Sequence, residues 1–105
     1  MQKRRHAMIR GTTPVHVFNT DIDLTEAEEM YITYKQYGQV VLEKTIDDIS
    51  ITSTKLTVYL SQEDTLKFGA ADVEMQVRAK FPSGNTIVSN VITDAVTDIL
   101  KEGAI

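Results

Sequence analysis

The sequence predicts an all-β protein, a small antiparallel β-sandwich of about seven strands with one helical turn between Ser61 and Phe68. Three observations carry this. Apolar and polar residues alternate with period two in several short runs, the pattern of strands with one buried face. Turn signals separate those runs at intervals of roughly eight to twelve residues, the spacing of a sandwich. The run KLTVYLSQEDTLKF changes period midway, and this is how a chain leaves one sheet and enters another.

The bulk properties bound the rest. A chain of 105 residues is one domain and buries roughly two thirds of the surface its unfolded form exposes. It contains no cysteine, which excludes a disulfide framework, a cysteine zinc site and a thiol nucleophile together. Core packing must hold the fold. The net charge is −4, but Lys3, Arg4, Arg5 and Arg10 lie in the first ten residues, while all 15 acidic residues come after residue 20. The body is therefore acidic and repels phosphate backbones, so no nucleic acid partner is expected. No apolar run approaches the ~20 residues of a membrane span, so no membrane partner is expected either.

Residues 1–10, MQKRRHAMIR, are polar and basic and read as a flexible arm ahead of a single sandwich domain at 11–105. A second methionine at Met8 fits an upstream start before a domain that begins near it. The alternative is an arm that reaches the acidic surface of a neighbouring subunit.

Pro14 opens the first strand, Val15 to Phe18, where its missing N–H suits a sheet edge. Val15 and Val17 lie on one face and His16 and Phe18 on the other. The segment NTDIDLTEAEE is an acidic connection with a possible helical turn after Thr25.

The hairpin from Met30 to Ile46 places Met30, Ile32 and Tyr34 on one face. A two-residue Tyr37-Gly38 loop would place Val41 and Glu43 beside them and bury a carboxylate. A three-residue loop, Gln36-Tyr37-Gly38, with Gly38 left-handed, instead pairs Tyr34 with Val40 and Ile32 with Leu42 and keeps Glu43 with Thr33 outside. The three-residue loop is therefore expected. A short Ile49-Ile51 alternation and a Ser53-Thr54 turn follow.

In the next strand Leu56, Val58 and Leu60 face the core. Ser61, followed by Glu63 and Asp64, has the character of a helix N-cap, with Leu66 and Phe68 expected to plug the core. Val73, Met75, Val77, Ala79 and Phe81 form the longest alternation. Pro82-Ser83-Gly84 turns it, pairing Ala79 with Ile87, Val77 with Ser89 and Met75 with Val91. Strand is expected to continue to about Thr97. The crossing between Leu60 and Val73 resembles the connection between the fifth and sixth strands of immunoglobulin-like domains. The chain departs from those domains in having no cysteine pair, no tryptophan and no tyrosine opening the Val73 strand.

Residues suited to catalysis are scarce. His6 lies in the arm, and His16 sits among apolar neighbours, where a packed ring is the expectation. Ser61 and Ser83 are a cap and a turn. Asn19, Asp21 and Asp23 have the spacing of a calcium loop, but Leu24 replaces its glycine and Met30 its bidentate glutamate. Asp21, Asp23 and Glu26 otherwise form solvated charge or a weak surface site. No phosphate-binding glycine loop is present. The expectation is no enzyme, no cofactor and no resident metal.

Surface remains. Tyr31, Val41 and Tyr59 fall opposite the core alternation, and Tyr37 tops a hairpin. Tyrosines are enriched where proteins meet, and these four residues are the candidate protein interface; scattered exposed aromatics are equally ordinary.

The order MIRGTTP, YITYKQYGQVVLEKT, KLTVYLSQEDTLKF, VEMQVRAKF and DILKEGAI resembles a group of short proteins, about a hundred residues long, encoded by phages and prophages of Gram-positive bacteria. The resemblance spans nearly the whole chain from Met8. It implies a virion structural protein of the tail or baseplate, located in the particle after synthesis in the host cytoplasm. The implied partners are other virion proteins and further copies of itself in a homo-oligomer. The alternative is a host-directed module that recognises cell-wall carbohydrate or a host protein.

Overall fold

A computed structural model describes residues 8–105. Among these residues ten strands are present: β1 Met8–Ile9, β2 Val15–Asn19, β3 Glu29–Gln36, β4 Gln39–Thr45, β5 Ile49–Thr52, β6 Lys55–Tyr59, β7 Val73–Lys80, β8 Thr86–Val88, β9 Ile92–Asp94 and β10 Val96–Thr97. A 3-10 turn occupies Ile46–Asp48, and a single α-helix, α1, covers Gln62–Leu66. The strands beyond the expected seven or so are the short pieces, β1, β9 and β10 among them, which are too brief to produce a period.

The chain forms two facing sheets. One has the order β2-β6-β5; the other runs β4-β3-β7-β8, with β9 also paired to β7. The inward set is Phe18, Leu56, Val58 and Leu60 from the first and Met30, Ile32, Tyr34, Leu42, Val73, Met75, Val77 and Ala79 from the second. Each belongs to a period-two alternation, so the pleat selects these residues; Leu24 and Phe68, which lie outside the strands, complete the core. A small third pairing joins β1 to β10 in parallel, Met8 opposite Val96 and Ile9 opposite Thr97. Met8 and Val96 are buried in the same core. The arm assignment for residues 8–10 is thus corrected: Met8 is an apolar side chain with a place in the core, and Arg10 is held by four acceptors described below. The rest of the arm, residues 1–7 with His6, lies outside the described residues.

In β2 the choice of face goes to His16 and Phe18, which are buried, while Val15 is exposed. β2 is an edge, as Pro14 suggests.

The β3–β4 hairpin differs from expectation. Its loop is two residues, Tyr37 and Gly38, both with positive φ (53° and 73°), the requirement of a type I′ turn. Gln36 pairs with Gln39 and Lys35 with Val40, but Tyr34 pairs with Leu42, so Val41 is bulged out of register. The expected pairs are therefore not formed: Tyr34 lies opposite Leu42 and Ile32 opposite Lys44, because the bulge slips the return strand the other way from a longer loop, yet it likewise keeps Glu43 outside and lets Thr33 donate to Glu43 at 3.0 Å. Val40 and Val41 exchange roles as a result. Val40 is 57% exposed and Val41 is half-buried against the core.

The β7–β8 turn follows expectation. Gly84 has φ 92°, the Phe81 N–H donates to the Asn85 carbonyl at 2.9 Å, and Ala79 pairs with Ile87. The Ser89 N–H reaches the Val77 carbonyl at 2.8 Å, while the Ser89 hydroxyl accepts from the Val77 N–H at 2.9 Å. Since that hydroxyl takes the place of a backbone acceptor, the ladder breaks, and Met75 resumes opposite Ile92 and not Val91.

Between β6 and β7, Ser61 caps α1. Its hydroxyl accepts from the Asp64 N–H at 3.1 Å, and the Asp64 carboxylate accepts from the Ser61 N–H at 2.9 Å, a reciprocal capping box. Phe68 is 2% exposed and packs edge-on against Tyr34 at 5.8 Å. Leu66 is only half-buried; Thr65 takes the inner place beside Phe68, its hydroxyl bound to the Thr12 carbonyl at 2.9 Å. Ser61→Ala should cost about 1 kcal/mol and Phe68→Ala about 3 kcal/mol or more, both measured by urea unfolding. A Phe68→Ala protein as stable as the parent would place the plug elsewhere.

Candidate interaction surface

Buried polar contacts fix what the sheets can present. Gln36 continues the inward alternation of β3 and is 5% exposed. Its Nε2 donates to the carbonyls of Gly69 (2.9 Å) and Ala71 (3.1 Å), and its Oε1 accepts from the Gly69 N–H at 2.8 Å. One amide thus serves as a strand for a segment that has none. Its signal was legible, since it lies two residues beyond Tyr34; its proximity to the turn argued for loop.

Arg10 closes the other side of that segment. Its guanidinium donates to the carbonyls of Phe68 (2.7 Å) and Leu66 (3.3 Å) and to the carboxylates of Asp98 (2.6 Å) and Glu102 (2.7 Å). Hydrogen bonds to Glu102 and Asp98 raise its pKa further. The adjoining Gly11, at φ 76°, leaves room for Ile99: a Cβ there would sit 2.9 Å from the Ile99 Cδ1.

Lys44, on β4, reaches Asp64 on α1 at 2.8 Å. Burial pushes the Asp64 carboxyl up, but hydrogen bonds from Lys44 and Ser61 outweigh it and leave the pKa below the ordinary value. The stabilisation this gives is present above the ordinary carboxyl range and is lost as pH falls through the lowered value. Between the sheets, the His16 Nδ1 lies 2.7 Å from the Tyr34 hydroxyl. Burial drives the Tyr34 pKa far above its usual range, so the hydroxyl is a neutral hydrogen-bonding group and not an acid.

Among the described residues no three His, Asp or Glu side chains converge as a metal site. Asp23 accepts from the Thr25 hydroxyl (2.7 Å) and N–H (2.9 Å), contacts that lower its pKa and shape the acidic loop. No helix is long and apolar enough to cross a membrane among the described residues.

The four candidate interface residues do not form one patch. Tyr31 lies on the outer face of the five-stranded sheet, between Thr45 of β4 and Arg78 of β7. Its hydroxyl donates to Glu29 at 3.3 Å, and the Glu29 charge raises its pKa. Tyr59 is 67% exposed on the outer face of the other sheet, paired with Val15. Tyr37 is 87% exposed at the hairpin tip. Val41 faces inward, as a consequence of the bulge, and leaves the set; Val40 takes its place.

The outer face of the five-stranded sheet collects the most chemistry. It carries two shallow depressions, one lined by Glu29, Tyr31, Arg78 and Lys80 with their neighbours, the other by Thr33, Lys35, Glu74, Gln76 and Val91. Val88 of β8, opposite Arg78, is also exposed.

A sheet of β2, β6 and β5 facing one of β4, β3, β7 and β8, with a helical crossing from β6 to β7, has the strand arrangement of an immunoglobulin-like β-sandwich. The protein is of that fold class. No family model and no curated protein matches the sequence. Among solved structures, the V domain of amphioxus IgVJ-C2 is similar at 14% identity and a TM-score of 0.37, over 88% of this chain and 99% of that one. At that distance the fold assignment rests on the strand order itself.

Two outcomes are expected. Gln36→Ala should cost about 2 kcal/mol or more in urea unfolding, because carbonyl and N–H groups lose their partner. Gln36→Glu should be worse at neutral pH and partly recover in acid, because burial raises the folded-state pKa of the new carboxyl and the penalty fades as it protonates. Tyr37→Asn should raise stability by about 0.5 kcal/mol or more, since a tyrosine at φ 53° occupies a conformation that asparagine tolerates better. A loss of stability there would mean that the exposed ring has a contact worth more than its strain.

Proposed function

We propose that the protein is a structural interaction module of a phage particle, acting by protein–protein binding in a tail or baseplate assembly. The observation that supports binding is the outer face of the five-stranded sheet, where Tyr31, Val40, Val88 and Val91 stand exposed among positive and negative side chains that are cross-strand neighbours. A rigid sandwich carrying aromatic and aliphatic area with charge around it has the composition of a contact surface. The assignment to a virion rests on the sequence resemblance from Met8 onward. In this reading the partners are other virion proteins and further copies of the chain, and neither nucleic acid nor membrane is engaged.

A second reading has its own observation. Tyr37 projects from the hairpin tip and Tyr59 from the opposite sheet, each more than half exposed, and aromatic rings in such positions suit sugar faces or a host protein. In that case the module recognises cell-wall carbohydrate or a host protein.

Mass spectrometry of purified particles together with affinity capture from an infected lysate tests the first reading. The expected result is the chain at stoichiometric level in particles and co-purification with named virion proteins. Absence from particles, with retention on cell-wall glycan that is lost on Tyr37→Ala or Tyr59→Ala, would replace it with the second.

A further inference from the structure

The outer face of the five-stranded sheet has a charge pattern that closes no ion pair within one molecule among the described residues. At successive levels along the sheet, Glu29 of β3 stands opposite Lys80 of β7, Tyr31 opposite Arg78, Thr33 opposite Gln76, and Lys35 opposite Glu74. Each acid on one strand meets a base on the other, and the aromatic ring meets a guanidinium. Yet among the described residues the ion pairs within the chain are Arg10 with Asp98 and Glu102, and Lys44 with Asp64. The charges of β3 and β7 are neighbours that do not close on each other. All of Glu29, Lys35, Glu74, Arg78 and Lys80 are exposed.

A two-fold axis that runs parallel to the strands, midway between β3 and β7, keeps the level along the strand and exchanges the two columns. It lays β3 of one molecule on β7 of another. Glu29 then faces Lys80, Tyr31 faces Arg78, Thr33 faces Gln76 and Lys35 faces Glu74, each pair occurring twice. The outer column follows: β4 covers β8 and β9, so that Thr45, level with Tyr31, faces the exposed Val88, and the exposed Val40, level with Lys35, faces Thr93. Aromatic-to-guanidinium contacts sit between facing charges of opposite sign, with no like-charged pair. An axis perpendicular to the strands at the level of Thr33 is worse, because Glu43, at that level on β4, would face its own copy.

We propose that this face is a self-complementary docking surface for a second copy of the chain, giving a two-fold symmetric dimer in which β3 lies over β7. The inference rests on the interaction-module reading above and names its partner. The face is four strand columns wide at ~4.8 Å spacing, with β8 and β9 sharing one edge of β7, and about seven residues long, an area below that of a standard-size specific interface. The dimer is therefore weak, with a dissociation constant on the order of micromolar, and it loosens with salt because its contacts are charged and peripheral to a small apolar area.

The test uses sedimentation velocity and equilibrium on the full chain and its variants. The parent protein should dimerise across ~1–500 μM and weaken several-fold between ~50 mM and ~500 mM salt. Lys35→Glu alone and Glu74→Lys alone should each be monomeric, at least ~10-fold weaker than the parent, and still cooperatively folded, with a thermal midpoint lowered only slightly by the like charges each reversal sets opposite each other within the sheet. Mixed together they should form a one-to-one heterodimer, because Glu at 35 of one molecule then faces Lys at 74 of the other, and the remaining pair matches as well. Contacts within a chain cannot produce that rescue on mixing. A parent that stays monomeric at ~500 μM, single variants that still dimerise, or a mixture that stays monomeric would each overturn the proposal. The virion reading fails separately, by absence of the chain from purified particles.

Discussion

The backbone between Leu66 and Ala71 belongs to no sheet; it runs over one end of the sandwich with Phe68 buried beneath it and Lys67, Gly69 and Ala70 exposed, and its partly buried peptide groups must find partners. The fold meets this requirement with side chains from distant parts of the sequence. Gln36 takes the carbonyls of Gly69 and Ala71 and the N–H of Gly69; Arg10 takes the carbonyls of Leu66 and Phe68; the Val96 N–H joins on the Ala71 carbonyl at 3.2 Å. Strands β1, β3 and β10 are thereby drawn to one place. The sandwich needs no disulfide because the crossing is stitched from both sides.

That dependence explains why the crossing is capped so fully. Asp64 closes the capping box with Ser61 and at the same time receives Lys44 from β4. A five-residue helix has little stability of its own, so its geometry comes from the cap at one end, Arg10 at the other, and Thr65 and Phe68 beneath. With the helix fixed, β6 and β7 are held in opposite sheets, and the two outer faces point away from each other.

Much of this was legible in the sequence. The alternations of β6 and β7, the Ser61 cap and the Gly84 turn rest on local chemistry, and local chemistry is what a sequence displays. The β3–β4 hairpin was legible only in its purpose. Keeping Glu43 out of the core demanded a one-residue shift, but a longer loop and a bulge supply it in opposite directions, and the run Val40-Val41-Leu42 has apolar residues for either solution. Ladder slippage at Ser89 was hidden because it depends on a hydroxyl replacing a carbonyl. The links Lys44–Asp64 and Arg10–Glu102 join residues whose separation leaves no period. For the candidate surface, the sequence identified exposed tyrosines but scattered them over both faces and a tip; the register of β3 against β7, which sets acid against base, exists only once the strands are paired.

The parallel pairing of β1 with β10 has a mechanical side. The preceding chain leaves β1 at Met8, and the following chain leaves β10 at Thr97, at opposite ends of the pair. Tension between the two ends would therefore act along the strands. The bonds from the Met8 N–H to Ala95 and from the Arg10 N–H to Thr97 would bear the load together, in shear, where a hairpin would open one bond at a time. Arg10, clasping Asp98 and Glu102 just beyond, extends that clamp by charge past the last backbone bond.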